Sequence, residues 1–220
     1  YRRSYISENI TKTIDKKDAL AVAKKYLCSE TFEPELKRIF RKNSVGVTKG
    51  IPVHYLVQSD NAHRLADTLV SSLYSNNRLG CARYTVLDLY NLSARSSDIR
   101  ELFRVCSGST IIMNCCGLKC TNSDNCTADE TIPDIIFDLI NAYKNEIQFI
   151  FTFSNDGPSL PDAVEEKLGA ITFVKLADDT VENEDAHKYL RKLCREENTS
   201  CDKDLLSLCA KDTPYRASEL

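Results

Sequence analysis

Short apolar runs alternate with longer amphipathic segments through most of this sequence. In chain order the pairs are 53–57 and 61–75, 84–89 and 96–106, 109–114 and 130–144, and 147–153 and 160–167, with a last apolar run at 170–175. Continuously apolar runs are typical of strands covered by helices on both faces of a parallel sheet. We therefore predict an α/β fold: a three-layer core whose parallel sheet has five strands joined by right-handed crossovers.

Two further helical patterns precede the first strand of this core. Residues 15–28 form an amphipathic segment, and a second runs from about residue 34 to 42, with Pro34 near the favoured first helical position. Residues 1–14 are polar, and we expect them to be frayed. We therefore expect a polar segment with a helix at 1–34 and the α/β core at 35–176.

The sequence changes character after the core. Helical patterns at 183–197 and 202–210, and a further start near Pro214, predict a small all-α lid over residues 177–220. The chain begins at Tyr1, and its single methionine, Met113, falls inside a predicted strand. We expect a piece of a longer protein whose other domains contribute to function.

Composition excludes several classes of protein. The net charge of −3 gives no basic footprint for nucleic acid, and no apolar run approaches the roughly 20 residues of a membrane helix. The ten cysteines are spread over helices, strands and loops, which is unlike a small secreted disulfide scaffold. We expect most of them to be reduced and buried, and we predict a cytoplasmic protein with neither nucleic-acid nor membrane partners.

The turn between the first strand and its helix, residues 58–64, lacks the residues that hold phosphates in nucleotide-binding α/β folds. Those folds carry G-x-x-x-x-G-K-[ST] at this point, but the turn contains neither glycine nor lysine. Two interpretations remain open. Asn61, His63 and Arg64 could bind a phosphate at the helix N-terminus, or Asp60 or Asn61 could cap the helix while Arg64 is solvated.

Four strand–helix units and a fifth strand, followed by a small lid, resemble the AAA+ module of the P-loop NTPase superfamily. The segments that carry the resemblance are 52–57 and 65–69 around the phosphate loop, 99–103 before the Walker B strand, 149–155 at the sensor-1 strand, 160–168 before the arginine finger, 173–178 at the last strand and 215–220 near the sensor-2 helix. This likeness covers about residues 35–220. It implies a nucleotide site built from several separate segments.

The resemblance also assigns positions to that site. They are Asn61, His63 and Arg64 at the phosphate loop, Asn114 and Cys115 at Walker B, Asn155 at sensor 1, Lys167 at the arginine finger and Arg216 near sensor 2. The family uses Asp-Glu at Walker B to hold magnesium and position water, and an arginine at the finger. This chain has Asn-Cys and Glu-Lys there, so the resemblance implies a degenerate site. Asn155 suits a turn equally well.

The cysteines near residue 115 offer other chemistry. Cys115, Cys116, Cys120 and Cys126 could in principle supply zinc ligands, with Cys115, Cys120 and Cys126 as the candidates, but the spacing lacks paired C-x2-C units. An oxidised pair or unpaired thiols are the other possibilities. Cys115 could also act as a nucleophile with His54 or His63 as its base.

These observations favour a catalytically inert AAA+-like module that acts as a structural or regulatory part of a larger AAA+ protein. Its expected partners are the other domains of the full-length protein or AAA+ subunits, and no cofactor is expected. Two alternatives remain: an atypical ATPase that binds ATP and Mg and hydrolyses weakly, and an α/β interaction domain that never bound nucleotide.

Overall fold

The computed structural model describes residues 11–13, 32–40, 51–75, 79, 81–90, 92, 94–118, 132–155, 160–177, 180–181, 190–191, 194–195, 198–200, 202 and 215–216. The strands are β1 (Thr11–Thr13), β2 (His54–Gln58), β3 (Arg83–Asp88), β4 (Thr110–Asn114), β5 (Gln148–Phe153), β6 (Phe173–Ala177), β7 (Thr180–Val181) and β8 (Tyr215–Arg216). The helices are α1 (Phe32–Phe40), α2 (Ala62–Ser75), α3 (Ser96–Val105), α4 (Asp134–Tyr143) and α5 (Leu160–Lys167).

The sheet confirms the predicted α/β core. Its strand order is β1-β3-β4-β5-β2-β6, and the five strands β2 to β6 are all parallel. β2, the first of these in the chain, therefore lies between β5 and β6. The chain must cross from β2 to β3, at the far side of the sheet, through α2.

Helices cover both faces of the sheet. On one face α1 and α2 pack against Tyr55, Ile112 and Ile150, and on the other α3, α4 and α5 pack against Leu56 and Phe149 among others. Neighbouring residues of one strand thus enter different cores, because side chains alternate across a strand. This two-sided burial explains why the strands are continuously apolar.

A buried polar network holds α1 to β2. The Tyr55 hydroxyl donates to Glu35 Oε1 at 2.7 Å, and the Arg38 guanidinium donates to both oxygens of the same carboxylate, at 2.5 and 2.7 Å. Tyr55 is fully buried and Glu35 nearly so. Burial and the neighbouring Glu35 carboxylate raise the pKa of Tyr55 far above its ordinary value, so the phenol remains a donor.

The N-terminal segment needs one correction. Residues 1–14 were expected to be frayed, but Thr11–Thr13 pair antiparallel with Arg83–Thr85 as β1. The outer edge of β3 presents unpaired backbone groups, and a short polar strand can satisfy them whatever its side chains are. Hydrophobic periodicity gives no signal for such a strand.

The last parallel strand begins later than predicted. The apolar pattern indicated 170–175, whereas β6 covers Phe173–Ala177. Gly169 and Ala170 lie in the turn after α5, where the Ile171 amide donates to the Leu168 carbonyl at 2.7 Å. Ile171 is buried, so an apolar turn residue resembled the start of the strand.

The region after residue 177 is not helical throughout, which corrects the all-α lid. β7 pairs antiparallel with β8, so Tyr215–Arg216 is a strand where a helix near Pro214 was predicted. Residues 190–191 and 194–195 are helical, and Asn198, with φ of 51°, adopts the left-handed conformation that often ends a helix. The helix predicted at 15–28 and most of that at 202–210 lie outside the described residues.

No helix within the described ranges has the length and apolar character needed to cross a bilayer.

Candidate functional site

The carboxyl ends of β4, β5 and β2 form the candidate site. Because β2 is inserted between β5 and β6, its helix α2 lies on the opposite face of the sheet from α5, which follows β5. Ligands in open α/β sheets bind in the crevice that such a change of direction leaves beyond the carboxyl ends of the strands. The topology therefore brings the β2–α2 junction beside the ends of β4 and β5, as the resemblance implied.

The β2–α2 junction has only three residues, Ser59 to Asn61. Backbone amides in and next to it donate hydrogen bonds to acceptors within the chain. The Ser59 amide donates to the Phe153 carbonyl at 3.0 Å, and the Ala62 amide donates to the Ser59 carbonyl at 3.2 Å. The Asn61 amide donates to Ser59 Oγ at 3.0 Å. Three N–H groups at the place of a phosphate loop are thus bonded within the chain.

The polar side chains predicted at this junction face solvent. Asn61, which precedes α2, is exposed, and so are His63 and Arg64 on its first turn. The Asn61 carbonyl accepts the Leu65 amide at 3.1 Å, which is the backbone pattern of an N-cap residue. Ser59, which the sequence reading passed over, supplies the side-chain oxygen that closes the turn.

Asn114, which the resemblance assigns to Walker B, closes a turn of the same kind. Its Oδ1 accepts the Cys116 amide at 3.0 Å, and the buried Thr152 hydroxyl approaches the same oxygen at 3.5 Å. The strand register places Asp88, Asn114 and Thr152 side by side on one face. Asp88 Oδ1 accepts the Tyr90 amide at 3.2 Å. Ser59, Asp88 and Asn114 therefore each accept the amide two residues on.

Cys115 lies on the other side of the sheet from Asn114. Its side chain is buried in the core that α3, α4 and α5 cover, and its thiol points to the Met113 carbonyl at 3.8 Å. Burial raises the pKa of the Cys115 thiol well above its ordinary value. A buried, protonated thiol is a poor nucleophile and a poor metal ligand.

The proposed pairing of Cys115 with a histidine is therefore wrong. His54 begins β2 and so lies at the amino end of the sheet, whereas Cys115 follows the carboxyl end of β4. His63 is exposed on α2, on the opposite face from the buried thiol. The predicted strand ends at residue 114, as β4 does, but the residue pattern does not show which helical layer covers the side chain that follows.

The described cysteines form no metal site. Cys81, Cys106, Cys115, Cys116 and Cys194 are unpaired thiols. Within the ranges that the structure describes, no group of three His, Cys, Asp or Glu side chains could hold a metal ion. Cys120 and Cys126, the other two zinc candidates, lie outside those ranges, so a role for them stays a prediction.

The remaining predicted positions lie in different places. Asn155 follows β5 and is half-buried at the carboxyl edge. Lys167 belongs to the opposite helical layer, where its ammonium lies 3.5 Å from the Asp134 carboxylate and over the Phe137 ring. Arg216 is in β8. The junction, Asn114 and Asn155 therefore lie at the carboxyl edge of the sheet. Lys167 lies in the helical layer formed by α3, α4 and α5.

Comparison with known proteins finds similarity of fold. No family model matches this sequence, and no curated protein matches it. Among solved structures, DnaA bound to AMPPCP and single-stranded DNA is 10% identical with a TM-score of 0.52, covering 83% of this chain and 56% of that one. The E. coli MS115-1 HORMA:CdnC:Trip13 complex is 9% identical with a TM-score of 0.50, covering 94% and 84%. The fold is similar to that of the replication initiator DnaA.

Proposed function

We propose that this chain is an AAA+-like module that neither holds nor hydrolyses ATP and serves as a structural or regulatory part of a larger AAA+ protein. The observation that carries the proposal is that the Ser59, Asn61 and Ala62 amides already donate hydrogen bonds within the chain. Ser59 donates to the Phe153 carbonyl, and the other two donate to Ser59. A phosphate loop works by pointing such amides at the phosphates. Here their hydrogen atoms already have acceptors.

Nucleotide would have to replace those internal bonds without the help of a lysine. Each internal bond contributes about 1 kcal/mol net, so opening all three opposes binding by several kcal/mol. Arg64 is the cation nearest the start of α2 in the sequence, and it is exposed. A solvated charge of this kind contributes at most about 1 kcal/mol.

The two positions that the resemblance assigns to Walker B, Asn114 and Cys115, lack the carboxylates that would hold magnesium and activate water. Asn114 carries no charge, and its oxygen already accepts the Cys116 amide. The Cys115 thiol faces the opposite core, so it cannot replace the carboxylate that positions the attacking water. Phosphoryl transfer depends on positioning and charge neutralisation by these groups. Hydrolysis by this chain is therefore not expected.

A structural role agrees with the way this edge of the sheet is closed. Beyond the strand ends, the Leu89 amide donates to the Asn114 carbonyl at 3.0 Å and the Cys115 amide to the Thr152 carbonyl at 2.9 Å. The Ser59 amide likewise donates to the Phe153 carbonyl. The backbone hydrogen bonds of the sheet therefore continue for one residue beyond the ends of β3, β4 and β2. These three amides therefore need no ligand as acceptor. The expected partners are other domains or AAA+ subunits.

One observation favours the competing function, an atypical ATP-binding module. Asn61, His63 and Arg64 are exposed at the start of a 14-residue helix, where the helix dipole attracts anions. Weak phosphate binding there would use side chains in place of the occupied amides.

Isothermal titration calorimetry with ATP and with ADP, each with and without magnesium, tests the proposal. We expect no saturable heat with millimolar nucleotide. The Arg64→Ala variant tests the junction, and Arg100→Ala, an exposed arginine on α3 across the sheet, is the matched control. A dissociation constant below 1 mM, about −4 kcal/mol, would contradict the proposal. Weakening by Arg64→Ala alone would place that binding at the junction.

A further inference from the structure

His54 is a buried histidine that the candidate site does not use. It begins β2 at the amino end of the sheet and is 6% exposed. Its Nδ1 accepts the Phe149 amide of β5 at 3.1 Å. Its Nε2 lies 3.0 Å from the Lys144 carbonyl, just after α4. Because a neutral imidazole carries one N–H, these partners assign the proton to Nε2.

The imidazole also packs between aromatic rings of two strands. The Phe149 ring of β5 is stacked on it, with centroids 5.5 Å apart, and the Phe173 ring of β6 lies at 6.1 Å. The histidine therefore contacts β5, β6 and the end of α4. A change at this one side chain reaches three elements of the core.

The surroundings disfavour a positive charge on this ring. The Lys144 ammonium opposes it, while Phe149 and Phe173 offer no charge. The nearby Glu146 carboxylate accepts the Ser107 hydroxyl at 2.6 Å, and Lys175 of β6 is paired with Asp162 and Glu165 of α5. Burial, together with the Lys144 charge, lowers the pKa of His54 to about 4 although the Lys144 carbonyl opposes the change.

We propose that His54 is an acid-sensitive latch, which fastens the start of β2 to β5 and to the end of α4 and releases them when it is protonated. A proton on Nδ1 would face the Phe149 N–H, so two donors would meet and that hydrogen bond would be lost. The imidazolium would also be left among aromatic rings without a carboxylate partner. Both effects drive the ring out of its site.

The direction of the pH dependence follows from the two states. The unfolded chain binds the proton near pH 6.5, whereas the folded chain binds it near pH 4. The contribution of His54 to stability is therefore complete above pH 6.5 and is lost as the pH falls towards 4. The folding equilibrium constant should fall roughly 300-fold across that range from this group alone.

Urea unfolding between about pH 7.5 and about pH 5 tests the latch, because unfolding should take up nearly one proton at His54 within that range. The His54→Gln variant keeps an amide donor for the Lys144 carbonyl but cannot titrate. His63→Gln, at an exposed position, is the matched control. We expect the wild type and His63→Gln to share one slope and His54→Gln to lose most of it. An unchanged slope in His54→Gln would overturn the latch.

NMR of the wild-type chain keeps the test valid if His54→Gln does not fold. The His54 ring should titrate below pH 5. Hydrogen exchange should show the Phe149 amide losing protection on acidification before the Phe151 amide at the middle of β5. Titration of His54 near pH 6.5, or equal loss at both amides, would contradict a local latch.

Discussion

The two ends of the parallel sheet use polar side chains in opposite ways. At the amino end, the Thr110 hydroxyl of β4 donates to Gln148 Oε1 at 3.1 Å, and Gln148 Nε2 donates to the Val53 carbonyl at 2.9 Å. With His54, these buried groups join β4, β5 and the start of β2. At the carboxyl end, Ser59 and Asn114 bond to amides two residues away.

This difference concerns which side chains join distant segments of the chain. The three amino-end side-chain bonds join residues 38 to 95 positions apart and are buried or partly buried, so breaking one leaves a polar group with little access to water. The Ser59 and Asn114 side-chain bonds at the carboxyl end close local turns. Chemistry can therefore be lost at the carboxyl end without loss of the fold, which is what the inert-module proposal requires.

The largest difference in the free energy of unfolding is expected between alanine variants of two glutamines at opposite ends of the sheet. Gln148→Ala removes two hydrogen bonds and leaves the Thr110 hydroxyl without its acceptor, so unfolding should become easier by about 2 kcal/mol or more. Gln58 ends β2, is half-buried and makes no side-chain hydrogen bond that the structure records within its described ranges. Gln58→Ala should change stability by less than about 0.5 kcal/mol.

Urea denaturation of both variants at neutral pH measures this contrast. Equal losses in the two variants would remove the distinction between the ends of the sheet. A larger loss for Gln58→Ala would reverse it and point to an unrecognised role for the carboxyl end.

A smaller effect is expected within the carboxyl end itself. Asn114→Ala loses the turn bond to the Cys116 amide, which should cost about 1 kcal/mol. Asn155→Ala, at the half-buried position after β5, is the matched control and should change stability by less than about 0.5 kcal/mol. Thermal and urea unfolding check both values. If Asn155→Ala proved the more damaging, Asn155 would have a structural role that the turn bonds do not show.

Much of the fold could be predicted because local pattern and burial agree. Continuous apolar runs such as Phe149–Phe153 can be satisfied only between two helical layers. The helix predicted at 160–167 is observed as Leu160–Lys167. The short strands β1, β7 and β8 could not be predicted, since they form from backbone pairing between distant segments and carry no apolar period.

The candidate site could be predicted only in its location. Strand order placed the junction, Asn114 and Asn155 at one edge, but residue types could not show which groups were already bonded. A serine, aspartate or asparagine at the end of a strand, as at Ser59, Asp88 and Asn114, is the signal for such a turn. The end of β4 was predicted correctly at residue 114, but the strand pattern alone does not show which helical layer Cys115 enters.

Amide hydrogen exchange at the β2–α2 junction, followed by NMR, distinguishes a hydrogen-bonded turn from a phosphate-binding loop. We expect the amides of Ser59, Asn61 and Ala62 to be protected in the free protein, because each already has an acceptor. We also expect millimolar Mg·ATP to change neither their exchange rates nor their chemical shifts. Amides that exchange freely without nucleotide, and that shift and become protected when Mg·ATP is added, would contradict the proposed function.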